Sequence, residues 1–386
     1  MAIFKNVNDP LTTHGKIGSG VSFPAVILFI FLWIYLFVRA IKVFPTHDEI
    51  TSMWAYMVVW MPLPYQGYID ANNHFLNSLL GGFFLRLFHS DAPLVIRLPN
   101  LLAFPLFFWS LYSMRKFFHH RATFYVLLVG LGCSVFPLEF FAMARGYGLS
   151  SAFMVFAIYQ SMQLHQKQNA VHLVFAVVSW VLAVYASLTL IPFAAAGFVW
   201  LGIEAWRLRR KAWILMVFAA IYPYYEAIRY SFFLKETGRL YYGGKEGFIT
   251  DTLHTLTPHL WQTTQPVLDT LLIILGLFII AGYGKFLWQT KDLFNLRLIF
   301  PAFFVLSLAN IFGQHFILGI NFPSDRAALY LVIFFFGGLA FILDHYALRR
   351  PSYIMVGILL IYFFRRCRSA GRRYSNWMLI RMSFSP

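Results

Sequence analysis

The chain has 386 residues, of which 60% are hydrophobic and only 12% charged, and it carries a formal charge of +16. Soluble domains average about 45–50% apolar and about 25% charged residues, so this surplus cannot be hidden in one water-soluble core. The positive charge does not argue for nucleic acid, because no basic stripe with interleaved aromatics occurs in a polar region; the basic residues are read as cytoplasmic loops that set topology.

In chain order, a polar N-terminal stretch without a recognisable cleavage site precedes the first apolar block, Val21–Ala40, which is expected to remain as an anchoring helix. Comparable blocks recur, among them Leu271–Tyr283 and Ala327–Leu343. A bilayer core needs about 20 apolar residues per helix. Backbone groups in lipid must bond internally, so the blocks predict helices. Alternating segments of the kind a membrane β-barrel needs are not apparent. The expected fold is therefore all-α, a polytopic transmembrane helical bundle.

Four basic groups orient it. Arg115, Lys116 and Arg121 flank one connection, and Arg207, Arg209, Arg210 and Lys211 form a second group. Lys285, Lys291 and Arg297 flank a third, with Arg349 and Arg350 as the fourth. With all four inside, crossing helices are expected near 22–42, 94–114, 122–137, 146–162, 171–186, 189–206, 212–233, 266–284, 296–316, 327–346 and 352–364. That makes about eleven crossings of the length a bilayer requires. Residues 43–93 then form an external first loop, in which 73–89 lie along the outer interface or re-enter, since a crossing there would invert every later loop. Residues 234–265 form a second external loop. The membrane domain covers 1–346, and 347–386 supply a terminal helix and a basic tail that parity puts outside. Cys133 and Cys367 suggest neither a disulfide framework nor a metal knuckle. The absence of an Asn-x-Ser/Thr sequon fits a bacterial plasma (inner) membrane.

Nine of the fifteen acidic residues fall outside in this threading: Asp48, Glu49, Asp70, Asp91, Glu139, Glu236, Glu246, Asp251 and Asp325. Acids contribute little to topology, so their collection on one face suggests a chemical site. Asp48 and Glu49, just past the first helix, could serve as a general base, or be solvated or cap the next helix. Asp70-Ala71-Asn72-Asn73-His74 offers amide and imidazole groups to a sugar or phosphate, or caps a helix. Glu139 and Arg145 flank a short outer turn ending at Tyr147. Ionisable groups at that depth usually face a cavity, and arginine's planar fork suits phosphate; a Glu139–Arg145 ion pair is the structural alternative. Arg326 offers a second cation, or an anchor paired with Asp325. Gly238, Gly243 and Gly244 suggest an external loop flexible enough to close over a substrate. No phosphate-binding GxxxxGK[ST] loop or HExxH zinc helix occurs, nor a GxSxG elbow. Acids within helices are few, a poor supply for a proton relay.

Together, Asp48-Glu49 after the first helix, Asn72-Asn73-His74, Arg97-Leu98-Pro99-Asn100, Ala144-Arg145-Gly146-Tyr147 and Pro323-Ser324-Asp325-Arg326 resemble the polytopic C-superfamily glycosyltransferases near family 39. These include the protein O-mannosyltransferases and the lipid A aminoarabinose transferases. The resemblance covers roughly residues 20–345, in short pieces. It implies a transferase that moves a sugar from a polyprenyl-phosphate donor to a glycan, lipid or protein acceptor on the periplasmic face. It also implies Asp48 as catalytic base with Glu49 in support, and Arg145 and Arg326 on the donor phosphate. Asn73, His74 and Tyr147 are further substrate-binding candidates. Many members carry Pro-Pro where this chain has Phe75-Leu76, and many add a soluble C-terminal domain. No cofactor is indicated; His47, Asp48, Glu49 and His74 leave a divalent metal open, although spacing alone makes no site. A lipid-linked-sugar carrier or flippase is the competing reading, and it needs a polar path to the inner face.

Overall fold

A computed structural model describes residues 22–261, 266–292, 295 and 298–363. The expected basic tail and Cys367 lie outside the described residues. Among those residues every regular element is helical, and the sole sheet-like pairing is one bridge between Gly244 and Phe322.

Helix α1 (Phe23–Lys42) starts beside the far end of α4 (Pro93–Ser113), where the Ser22 N–H donates to the Tyr112 hydroxyl. It finishes beside the start of α4, where Arg97 donates to the carbonyls of Ala40 and Val43. The two helices are thus antiparallel, and residues 43 and 93 lie at the same end of the bundle. Between them come α2 (His47–Ser52), a π-helical turn (Met53–Val58) and α3 (Phe75–Phe88). Residues 43–93 therefore leave and return at the same end of the bundle. Arg86 fastens α3 to the π turn, donating to the carbonyls of Met57 and Val58 and lying 4.2 Å over the Trp60 ring.

The chain then alternates between the two ends. Helices α5 (Arg121–Gly132) and α6 (Val135–Glu139) form one path, bent by 47° at Cys133–Ser134. Helices α7 (Gly146–Lys167), α8 (Ala170–Ala186) and α9 (Ile191–Arg207) follow, then α10 (Lys211–Ala219) with α11 (Ile221–Glu236). A loop and α12 (His254–Trp261) lead to α13 (Pro266–Thr290), α14 (Ile299–Leu318) and α15 (Leu329–His345). A last helix, α16, covers 349–363. Contacts fix the polarity. His74 meets Ala186 and Arg326 meets Asp48 at one end. His165 meets Glu204, and Asp344 meets His119, His120 and Thr123, at the other. The basic residues 115, 116, 121, 207 and 209–211 sit at that second end.

Among the described residues six helices are long and apolar enough to cross a membrane, or seven if the bent α5–α6 path is one span. This is fewer than the eleven crossings expected. The reasons are local. Helix α7 is long but keeps Ser150, Ser151, Gln160, Ser161 and Gln163 inside the bundle, so its apolarity is diluted. Helix α8 has only 17 residues, and the α10–α11 path is broken at Ala220. Burial separates the crossing helices further. The most apolar stretch of α15 is 89% buried, against 22% in α1 and in α13. Helix α15 is thus the centre of the bundle, its Phe334, Phe335 and Phe341 rings against α14 and its Phe336 ring against Gly130 of α5. Helices α1 and α13 turn Ile27, Ile34, Ile274 and Leu277 outward, as lipid-facing helices do.

Candidate functional site

The segment after α1 is organised by a capping box. The Thr46 hydroxyl accepts from the Glu49 N–H, and the Glu49 carboxylate accepts from the Thr46 N–H. Satisfying two orphan donors reciprocally starts α2 at His47. It also sends the neighbouring carboxylates opposite ways. Glu49 is fully buried and faces Arg97, whose Nε and Nη2 donate to its two oxygens at 2.8 and 2.9 Å. The Ala144 N–H donates to the same carboxylate at 2.7 Å. Burial alone would raise the Glu49 pKa; the Arg97 guanidinium and the backbone donors outweigh it and hold the carboxyl below the ordinary 4.5. Glu49 therefore ties α1, α2, α4 and the α6–α7 turn together, and both its oxygens are occupied.

Asp48 points the other way, with its side chain 27% exposed. Its Oδ2 lies 2.7 Å from Nη2 of Arg326 and 3.5 Å from Nη1 of Arg145. Three residues remote in sequence thus form one group with a surplus of one positive charge. Glu139 pairs with Arg39 at 3.1 Å, while Arg326 feels the carboxylates of both Asp48 and its chain neighbour Asp325. His47 stands 4.0 Å from Asp48 and is almost wholly exposed.

Each arginine is held by its own support. Arg145 is the N-cap residue of α7 and donates to the Asn72 side-chain carbonyl. Asn72 is in turn set by Asp70, which accepts its backbone N–H at 2.8 Å. Gly146 is needed for close approach, because a Cβ there would stand 1.9 Å from the Ala186 carbonyl oxygen and 2.7 Å from His74 Cβ. An asparagine ladder fixes the same turn: Asn77 donates to the Ala144 carbonyl, Asn100 to Asn77, and the Leu149 N–H to Asn100. Arg326 follows Asp325, which has left-handed backbone (φ 52°) and whose N–H donates to the Thr255 hydroxyl. Thr252 donates to the Pro323 carbonyl and Asn321 to that of Tyr241. Residues 241–255 are therefore seated on the segment that presents Arg326. Their glycines serve contact as well as freedom: a Cβ on Gly243 would stand 2.4 Å from the Phe322 carbonyl oxygen.

A cavity of about 300 Å³ adjoins this group, lined by Asn73, His74, Tyr147, Tyr242, Asn310 and Gln314 among others. Arg145 lies 5.8 Å over the Tyr147 ring and Arg326 lies 5.0 Å over the Tyr242 ring, so the two tyrosines are the wall between charges and cavity. Burial, with Arg145 and Arg326 nearby, keeps the His74 pKa well below 6.5. Its Nδ1 meets the Ala186 carbonyl at 2.8 Å, so the proton belongs there. Nε2 of His74 and Nε of Arg145 are buried without a hydrogen-bond partner. Asn73 is used internally, donating to the Pro62 carbonyl and accepting from Ser78.

Of the sequence candidates, Asp48, Arg145, Arg326, His74 and Tyr147 converge, Asn73 lines the cavity with its amide engaged internally, and Glu49 turns into the scaffold. Asn72, Asp70, Asn77, Asn100 and Tyr242 gain positioning roles that spacing alone does not reveal. Tyr56 is fully buried and offers no face to a ligand; Trp54 and Tyr65 are exposed. Among the described residues, no three His, Cys, Asp or Glu side chains are grouped so that they could hold a metal ion. Comparison of the chain with protein-family models, with curated proteins and with solved structures finds no match.

Proposed function

We infer that the protein is a membrane glycosyltransferase that moves a sugar from a polyprenyl-phosphate donor to an acceptor on the outer face of the membrane. One observation supports this reading: a half-open carboxylate, Asp48, is clasped by two arginines next to a largely apolar cavity that also presents amide and hydroxyl groups. The donor phosphate replaces Asp48 as counter-ion of Arg145 and Arg326, whose donors also stabilise charge on the leaving group. Released from the arginines, Asp48 takes the acceptor proton. The acceptor oxygen or nitrogen bonds to the anomeric carbon, the bond from that carbon to the phosphate oxygen breaks, and lipid phosphate departs. An apolar cleft of about 270 Å³ between α12, α13, α14 and α15 suits the first prenyl units; Leu331, Val332 and Phe335 on its wall follow Arg326 directly in the chain.

The test is transfer from radiolabelled polyprenyl-phosphate sugars to cell-envelope acceptors by purified protein in nanodiscs. Asp48→Asn should lower transfer by about a hundredfold or more, the scale expected of a lost general base. It should bind bare farnesyl phosphate at least as tightly as wild type, because the competing anion is gone. Equal transfer by the two proteins would sink the assignment. Arg326→Ala should weaken farnesyl phosphate about tenfold or more, the loss of one charge-assisted hydrogen bond.

A further inference from the structure

We propose that the cavity behind the Asp48–Arg145–Arg326 group is the subsite for the transferred sugar, and that it takes a neutral or acidic ring and turns away a cationic amino sugar. This rests on the transferase reading above and adds the class of sugar to it.

Position comes first. Tyr147 and Tyr242 each carry an arginine on one side and line the cavity. A phosphate seated on the two guanidinium groups has its sugar ester directed past these rings into the cavity. Aromatic walls suit the apolar faces of a sugar ring. Size comes next. About 300 Å³ is the lower end of the range for small-molecule pockets, so one ring fits and a chain of sugars does not.

Charge decides the class. Asn310 and Gln314 offer amide donors and acceptors, which match hydroxyl groups. Among the described residues the one formally charged side chain on the wall is Lys235, which is exposed at the rim. His74 is neutral, its one ring proton held at Nδ1 by the Ala186 carbonyl. Among the described residues no carboxylate lines the cavity: Asp48, Asp70 and Asp325 all lie off its wall. An ammonium group on the ring would therefore be desolvated against a wall that offers it no counter-ion, a costly arrangement. A hydroxyl in its place meets amides, and a carboxylate meets Lys235.

The experiment is titration calorimetry of the full-length protein in nanodiscs with farnesyl phosphate and its glucosyl, glucuronosyl and glucosaminyl esters. The glucosyl and glucuronosyl esters should bind about tenfold tighter than farnesyl phosphate, and the glucosaminyl ester about tenfold weaker than the glucosyl one. Two variants away from the arginine group report on the cavity itself. Ser231→Phe, which narrows it from α11, should keep farnesyl phosphate binding and lose the gain from the sugar. Gln314→Glu supplies the missing carboxylate and should bring the glucosaminyl ester to parity. If farnesyl phosphate does not bind wild type, the transferase reading falls and this proposal with it. If it binds but the glucosyl ester is no tighter, the sugar lies elsewhere and only this proposal falls. A glucosaminyl ester that binds wild type as tightly as the glucosyl one, or that gains nothing from Gln314→Glu, overturns the charge argument.

Discussion

Glu49 and Asp48 are neighbours with opposite fates, and their separation can be measured. Removing one partner of a buried ion pair costs about 3–5 kcal/mol, because the other charge is left uncompensated. Glu49→Gln and Arg97→Met should each lower stability on that scale, and the double variant should recover part of the loss, as thermal unfolding in detergent would record. The pH dependence has a definite sign. The unfolded carboxyl titrates near 4.5, and the folded one lower. The pair's contribution is thus complete above the unfolded value and is lost as pH falls through the folded value. Wild type should lose melting temperature on acidification below that range, and Glu49→Gln should lose less. In the sequence both acids look alike. What separates them is the Thr46 capping box and the reach of Arg97, which depend on α4 lying against the end of α1. Asp48, Arg145 and Arg326 were recognisable as a set only through short resembling motifs, since nothing local links positions so far apart.

At the scale of single elements, the turn into α7 is the tightest place at the site. Gly146→Ala should unseat Arg145 and His74 together, with a clear fall in melting temperature and in farnesyl phosphate binding. Gly202→Ala is the control. It lies in α9 with open space where the Cβ would be, and should be neutral or stabilise by about 0.5–1 kcal/mol. The long apolar helices were legible because lipid demands length and apolarity, which composition carries openly. Helix α7 and the α10–α11 path follow expected positions less well as spans, because helices shielded by neighbours need not satisfy lipid. The 234–265 loop was legible as polar and glycine-rich. Its seating on the Arg326 segment was not, because backbone pairing such as Gly244 with Phe322 leaves no mark in composition.

For the whole molecule, the basic connections at 115–121 and 207–211 lie at one end of the bundle and the Asp48 group sits at the other. The orientation we propose, on the positive-inside rule, faces the end with the basic connections to the cytoplasm. In a background of Cys133→Ala and Cys367→Ser, a cysteine at Pro64 should react with an impermeant maleimide in intact cells. One at Gln168 should react only after the membrane is opened. Equal labelling of both would overturn the orientation and, with it, the outer-face placement of the chemistry.

The Glu49–Arg97 clamp also bears on how such a chain can change over generations. Neither half is dispensable alone, since every single replacement strands a buried charge in the middle of four joined segments. Two simultaneous changes to a well-packed apolar pair face no such barrier. Descent should therefore leave both residues or neither, and a lineage carrying only one of them should be rare and short-lived.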